Sequence, residues 1–303
     1  MPALLKVCKA LYFTGMDSDA TKITLYCSDG YELDGLLFEP SAPAGGVIVM
    51  QGGTGIKKEF YSNFCDFLRE QGFVVISYDY RGIGGSLHGS LKGLNASLMD
   101  WAQLDMKAAI AYAEKQYPDL PMLLIGHSIG TQLIGFTPNN DRLKLVIGIA
   151  SSTGTWWKMK WPGNMRSFLL WYIINPVLTP VFGYAPLKRL GIMEDLPRGV
   201  IRQWSRWCRS SFYFGSHLGE SIPQEDFYPL KVPFIIHYFK DDAIANDQTV
   251  TDLTGIYRGT RIRMIKHRAK DYHLKKVGHS SMFSRRFKNS FWKRIADEAA
   301  RYI

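Results

Sequence analysis

Residues 122–130 read MLLIGHSIG: four apolar positions run straight into Gly126-His127-Ser128-Ile129-Gly130, and a helix-compatible stretch follows. Few turns suit that order. A buried strand must reverse sharply into a helix, and a serine sits at the apex. Glycines two residues before and after it remove side chains where strand and helix meet closely. A turn of this kind lifts the serine hydroxyl clear of the backbone and sets it above a helix N-terminus, which favours developing negative charge. A lone Gly-x-Ser-x-Gly is weak evidence. The strand before it and the helix after it give it weight.

The rest of the chain alternates in the way such a turn requires. KITLYC (22–27) and YELDGLLFE (31–39) flank the hairpin signal Asp29-Gly30. Short, mostly apolar strands are predicted at 45–50, 73–79, 121–126, 144–150 and 232–239, and a last strand at 261–267. Helices are predicted over 57–71, 98–116, from 128, near 247–257 and at the C-terminus. Phe283, Phe287, Phe291 and Ile295 give that last helix one apolar face. Apolar strands alternating with helices imply an α/β fold whose mostly parallel sheet is covered on both faces. The interval 154–226 breaks the alternation. It holds Trp156, Trp157, Trp161, Trp171, Trp204 and Trp207, six of the eight tryptophans. We read 154–226 as an inserted helical cap, with 1–153 and 227–303 forming the core.

A serine hydroxyl is a poor nucleophile until a base takes its proton. After an elbow serine, the acid and the histidine are expected to follow in chain order. FIIHYFKDD places Asp241 and Asp242 at a strand end, and KKVGHSSMF places His279 between the last strand and the last helix. From the residues alone, either of these two aspartates can be the acid. The oxyanion needs donors set before reaction. These are expected from the N–H of Ile129 and from QGGTG (51–55), with Gly53 first and Thr54 second. Asp79 and Arg81 are expected to hold a loop beside the elbow, and His127 to point away from Ser128. His237 is expected to be packed within its strand. A metal site from His267, Asp271 and His273 lacks a compact ligand pattern. No metal and no cofactor is expected.

Composition narrows the setting. The 303 residues are 46% hydrophobic and 21% charged, as in an ordinary globular protein. Cys8, Cys27, Cys65 and Cys208 are scattered, which favours a reducing compartment. The N-terminus lacks the pattern of a signal peptide, and the longest apolar run, Phe168 to Gly183, is broken by Asn175, Pro176, Thr179 and Pro180. Net charge is +10, and no nucleic-acid motif accompanies it. Residues 154–210 carry nine Lys or Arg against Glu194 and Asp195. A soluble basic surface is the favoured reading. Contact of this basic, aromatic segment with an anionic membrane is the alternative.

On these motifs the sequence resembles the α/β-hydrolases. More narrowly, it is similar to a bacterial group of predicted α/β-hydrolases near the serine aminopeptidase-like proteins. YDYRGIGGS (78–86), DWAQLDMKAAI (100–110), GHSIG (126–130), FGYAPLKRLGIMEDLP (182–197), WSRWCRS (204–210), DDAIA (241–245) and GHSSMF (278–283) carry the resemblance. Thr131 departs from it, since a second glycine is usual there. The resemblance implies Ser128, Asp242 and His279 as a triad and a cytoplasmic, bacterial protein. The expected activity is hydrolysis of an ester or thioester of an apolar acyl group in a small-molecule substrate. Peptide or amide hydrolysis is the first alternative, and a non-catalytic binding protein the second.

Overall fold

Residues 20–303 are described in the computed structural model of the chain. The reading of the N-terminus and Cys8 lie outside them. The strands are β1 (Thr21–Tyr26), β2 (Glu32–Phe38), β3 (Gly46–Gln51), β4 (Phe73–Tyr78), β5 (Met122–His127), β6 (Leu143–Ile149), β7 (Phe234–Phe239) and β8 (Ile262–His267). They form one sheet in the order β1-β2-β4-β3-β5-β6-β7-β8. β1–β2 and β2–β4 pair antiparallel, and every other pair is parallel. Every residue of β3, β4, β5 and β7 is buried, as expected where helices cover both faces. The edge strand β1 leaves alternate residues in solvent. Asp29-Gly30 makes the hairpin turn, with Gly30 at φ +82°.

Parallel strands direct their C-terminal ends to one edge, so the loops after β3, β5 and β7 converge there. The predicted helices appear at Ser62–Glu70, Lys107–Gln116, Asp247–Ile256 and Lys293–Ala299, all but the third flanked by shorter helical turns. Phe283, Phe287, Phe291 and Ile295 are all buried. The helix after the elbow is short, Ile129–Gln132. Tyr257 is the reason. Its hydroxyl accepts the Gly135 N–H (3.0 Å) and donates to the Gln132 carbonyl (2.7 Å). A side chain inserted into the backbone ladder ends the helix.

Between β6 and β7 the chain builds helical segments at Gly163–Leu169, Leu170–Ile174, Asn175–Phe182 and Arg198–Cys208. This insert touches two loops at the C-terminal edge of the sheet. Glu194 N–H donates to the Gly55 carbonyl (2.9 Å), beyond β3. Lys160 N–H donates to the Ala243 carbonyl (2.8 Å), beyond β7. Its tryptophans divide: Trp171 and Trp207 are buried, whereas Trp157 and Trp161 are exposed.

Candidate active site

Ser128 follows β5 directly, with φ +52° and ψ −112°, a conformation that a residue with a side chain rarely adopts. The flanking glycines are sterically required. A Cβ on Gly130 would lie 2.7 Å from the Gln51 carbonyl oxygen on the neighbouring strand. One on Gly126 would lie 2.5 Å from Cγ2 of Thr131. Thr131 therefore fits because Gly126 yields the space. Its hydroxyl donates to Ser151 Oγ (2.5 Å), which donates in turn to the Ser128 carbonyl (3.1 Å). The departure from a second glycine thus adds a brace beneath the elbow.

The fold brings Ser128, His279 and Asp242 together from three loops. Ser128 Oγ lies 3.2 Å from His279 Nε2, and His279 Nδ1 lies 2.7 Å from Asp242 Oδ2. Asp242 is fully buried, and its other oxygen accepts the Ile244 N–H (2.8 Å). Both carboxylate oxygens are therefore satisfied, and the imidazole is held in one orientation. Asp241 points elsewhere. Its Oδ2 accepts the N–H groups of Val277 and Gly278, both at 2.8 Å. It fastens the loop that delivers His279, a part that sequence spacing does not disclose.

His127 and Tyr61 form a second connection. Burial, helped by the nearby His279 ring, pulls the His127 pKa down to about 3. The ring is neutral, so one nitrogen donates and the other accepts. Nε2 faces the His279 carbonyl (2.9 Å) and must carry the proton. Nδ1 then accepts from the Tyr61 hydroxyl (2.8 Å). That hydroxyl accepts the Gly53 N–H (2.8 Å). His127 thus points away from Ser128, as expected, and ties the loop after β3 to the histidine loop. The same bond changes the expectation for Gly53, whose N–H is committed to Tyr61. The Thr54 N–H has no acceptor among the described residues. Ile129 opens its helix, where an N–H has no partner within the helix.

Asp79 and Arg81 hold the loop 80–86, as expected. Asp79 accepts from Lys58 N–H (2.7 Å) and Gly85 N–H (2.9 Å), and Arg81 pairs with Asp105 (2.6 Å) and Asp29 (2.7 Å). Asp34, Glu59 and Asp79 cluster closely enough for a cation, but the Lys58 ammonium occupies the centre at 2.5, 2.8 and 3.0 Å. His267 accepts from Tyr272 (2.7 Å) and bonds the buried His237 (3.0 Å), while Asp271 accepts from the Arg268 N–H (3.3 Å). His267 and Asp271 are thus engaged with other partners.

A strand–elbow–helix turn, an eight-stranded sheet of this order and this loop placement define one superfamily, and comparison with known proteins agrees. A family model described as serine aminopeptidase, S33, matches residues 42–190. The chain has the α/β-hydrolase fold. Among solved structures, this α/β-hydrolase is similar to a soluble variant of monoglyceride lipase from Saccharomyces cerevisiae, with TM-score 0.66 and 15% identity over 94% of this chain and 97% of that one. It is also similar to a carboxyl esterase from Bacillus coagulans, with TM-score 0.64 and 13% identity over 93% and 98%. The Pyrococcus furiosus esterase Pf2001 gives TM-score 0.61 and 13% identity over 94% and 92%. No curated protein matches the chain significantly. At these identities the solved structures speak for the fold alone. No helix among the described residues is long and apolar enough to cross a membrane.

Proposed function

We propose that this serine hydrolase cleaves carboxylic esters or thioesters of apolar acyl groups through an acyl-enzyme. The carrying observation is the linear relay from Ser128 Oγ through His279 to Asp242. His279 takes the Ser128 proton as Oγ attacks the carbonyl carbon, and Asp242 steadies the imidazolium. The N–H groups of Ile129 and Thr54 receive the oxyanion. His279 then protonates the leaving alkoxide or thiolate. A water, deprotonated by His279, attacks the acyl-enzyme and releases the carboxylic acid and free Ser128. The insert from 154 to 226 is the cap. It bridges the loops after β3 and β7, on either side of Ser128, and its aromatic residues suit an apolar acyl chain.

Esterase and lipase chemistry among the similar structures favours this reading. The serine aminopeptidase description of the family model favours amide cleavage instead. Nitrophenyl esters of rising chain length, with aminoacyl anilides alongside, separate the two. Esters should turn over with a chain-length optimum. Ser128→Ala should lower kcat by a factor on the order of 10⁴ and abolish fluorophosphonate labelling. Full activity in that variant would falsify the mechanism, and anilides preferred over every ester would give the site to amide hydrolysis.

A further inference from the structure

The insert presents an apolar face that nothing among the described residues covers. From Trp161 to Leu187 the only charged residue is Arg166. The three segments from Gly163 to Phe182 form one helical run. Its inward face carries Leu170, Trp171, Asn175 and Thr179, all buried. Outward stand Trp161, Met165, Tyr172, Ile173, Val177 and Val181, between 40% (Met165) and 75% (Val181) exposed. Single exposed apolar residues are ordinary. Six along one side of the same segment mark a binding surface.

We propose that this face docks on an anionic lipid surface. The charges at its two ends select that occupant. At the N-terminal end, Lys160 Nζ donates to the Lys240 carbonyl (3.1 Å), and Lys240 shares a surface hollow with Arg268 and Lys270. The one carboxylate in that hollow, Asp241, is turned to the N–H groups of Val277 and Gly278. At the C-terminal end, Lys92 packs beside Gly183 and Arg189 lies 5.5 Å over the Phe182 ring. Lipid phosphates meet such flanking cations, while Trp and Tyr lie at headgroup depth and aliphatic side chains enter the acyl boundary. A second copy of the chain would set two apolar faces together only by opposing basic ends.

The face adjoins the site. A Cβ on Gly163 would lie 3.0 Å from Cβ of Ala243, the residue after Asp242. Docking would therefore bring a bilayer beside the acid loop. That a lipid-derived ester then passes to Ser128 rests on the hydrolase reading above, whereas docking does not.

Sedimentation of the full chain with phosphatidylglycerol vesicles tests the proposal. Binding is expected at low salt, declining as salt is added, and weaker on phosphatidylcholine. Ile173→Asp with Val177→Asp should weaken binding by about tenfold or more, with an unchanged melting temperature. Ile173→Ser should show a smaller loss in the same direction. Ser128→Ala should bind vesicles like the parent, so loss of catalysis and loss of docking are distinguishable. Absence of binding to phosphatidylglycerol at low salt overturns the proposal. So does undiminished binding by the double Asp variant, since adsorption would then be by charge alone. A concentration-dependent dimer that the same variant disperses would assign the face to self-association and overturn it equally.

Discussion

The Tyr61 hydroxyl donates to His127 Nδ1 at 2.8 Å, and through that bond the loop carrying Gly53 is tied to the loop carrying His279. Three segments far apart in the chain are joined without using any reacting atom. Tyr61 and His127 are both fully buried, so water cannot replace either partner. They are positioning residues for the two loops that flank Ser128.

Tyr61→Phe keeps the ring and its edge contacts with Phe60 and Phe283. It leaves the Gly53 N–H and His127 Nδ1 without partners. Each unsatisfied buried group costs ~1–3 kcal/mol. Urea unfolding should report a loss within or somewhat above that range. Ester kcat should fall while KM changes little, because the loops loosen around an intact nucleophile. A variant as stable as the parent would show that the relay carries no structural weight.

Acid should destabilise the protein before its carboxylates titrate. Burial lowers the pKa of His127 to about 3 and of His267 to about 4, and holds His237 well below the ordinary value of 6.5. The sign follows from proton counts. Below about pH 6.5 the unfolded chain protonates these histidines and the folded protein does not. Their contribution is therefore fully present above 6.5 and is lost as pH falls toward the folded values. Each adds a slope of up to ~1.4 kcal/mol per pH unit. Chemical denaturation at pH 7 and pH 5 measures the sum. His127→Gln, which removes one of the three, should flatten the dependence. Equal stability at both pH values would contradict the neutral assignment of all three rings.

The adjacent acids should separate by function. Asp242→Asn keeps the shape but leaves the wrong partner for His279 Nδ1, and kcat should fall by a factor on the order of 10⁴. Asp241→Asn retains an oxygen able to accept from Val277 and Gly278 but loses the charge that strengthens those bonds. Its effect should be on stability, ~1 kcal/mol, with a much smaller loss of kcat. Activity lost in the opposite order would exchange the two assignments.

The centre of the sheet was legible because β3, β4, β5 and β7 are short, mostly apolar runs, and that pattern survives any detail of packing. The three side chains that the fold brings together were legible where chemistry narrows the residue type: a serine at the elbow, a histidine after the last strand, an acid after β7. What could not be read was the use of ordinary residues at long range. Nothing local to Tyr61 marks its hydroxyl as the link between Gly53 and His127. Tyr257, which ends the helix after Ser128, lies more than a hundred residues from it. That the Gly53 N–H is engaged by Tyr61 was hidden for the same reason, since only the fold brings the two together. The division of the insert into buried and exposed tryptophans likewise depends on the direction each helix faces.

The elbow itself should store strain that the nucleophile requires. Ser128 holds φ +52° because β5 and the helix at Ile129–Gln132 leave no other path between them. Ser128→Ala removes the hydroxyl and keeps the Cβ, so the strain persists. Ser128→Gly removes both. Relief of such a conformation is worth ~1–3 kcal/mol, against ~0.5–1 kcal/mol of added chain entropy for glycine. Both variants lose the bond to His279, so that loss cancels between them. The Gly variant should therefore be more stable than the Ala variant by ~1 kcal/mol, with both inactive toward esters. Thermal or urea unfolding of the pair decides it. An Ala variant as stable as the Gly variant would mean that the turn is held without cost, and that the elbow is shaped by its flanking glycines alone.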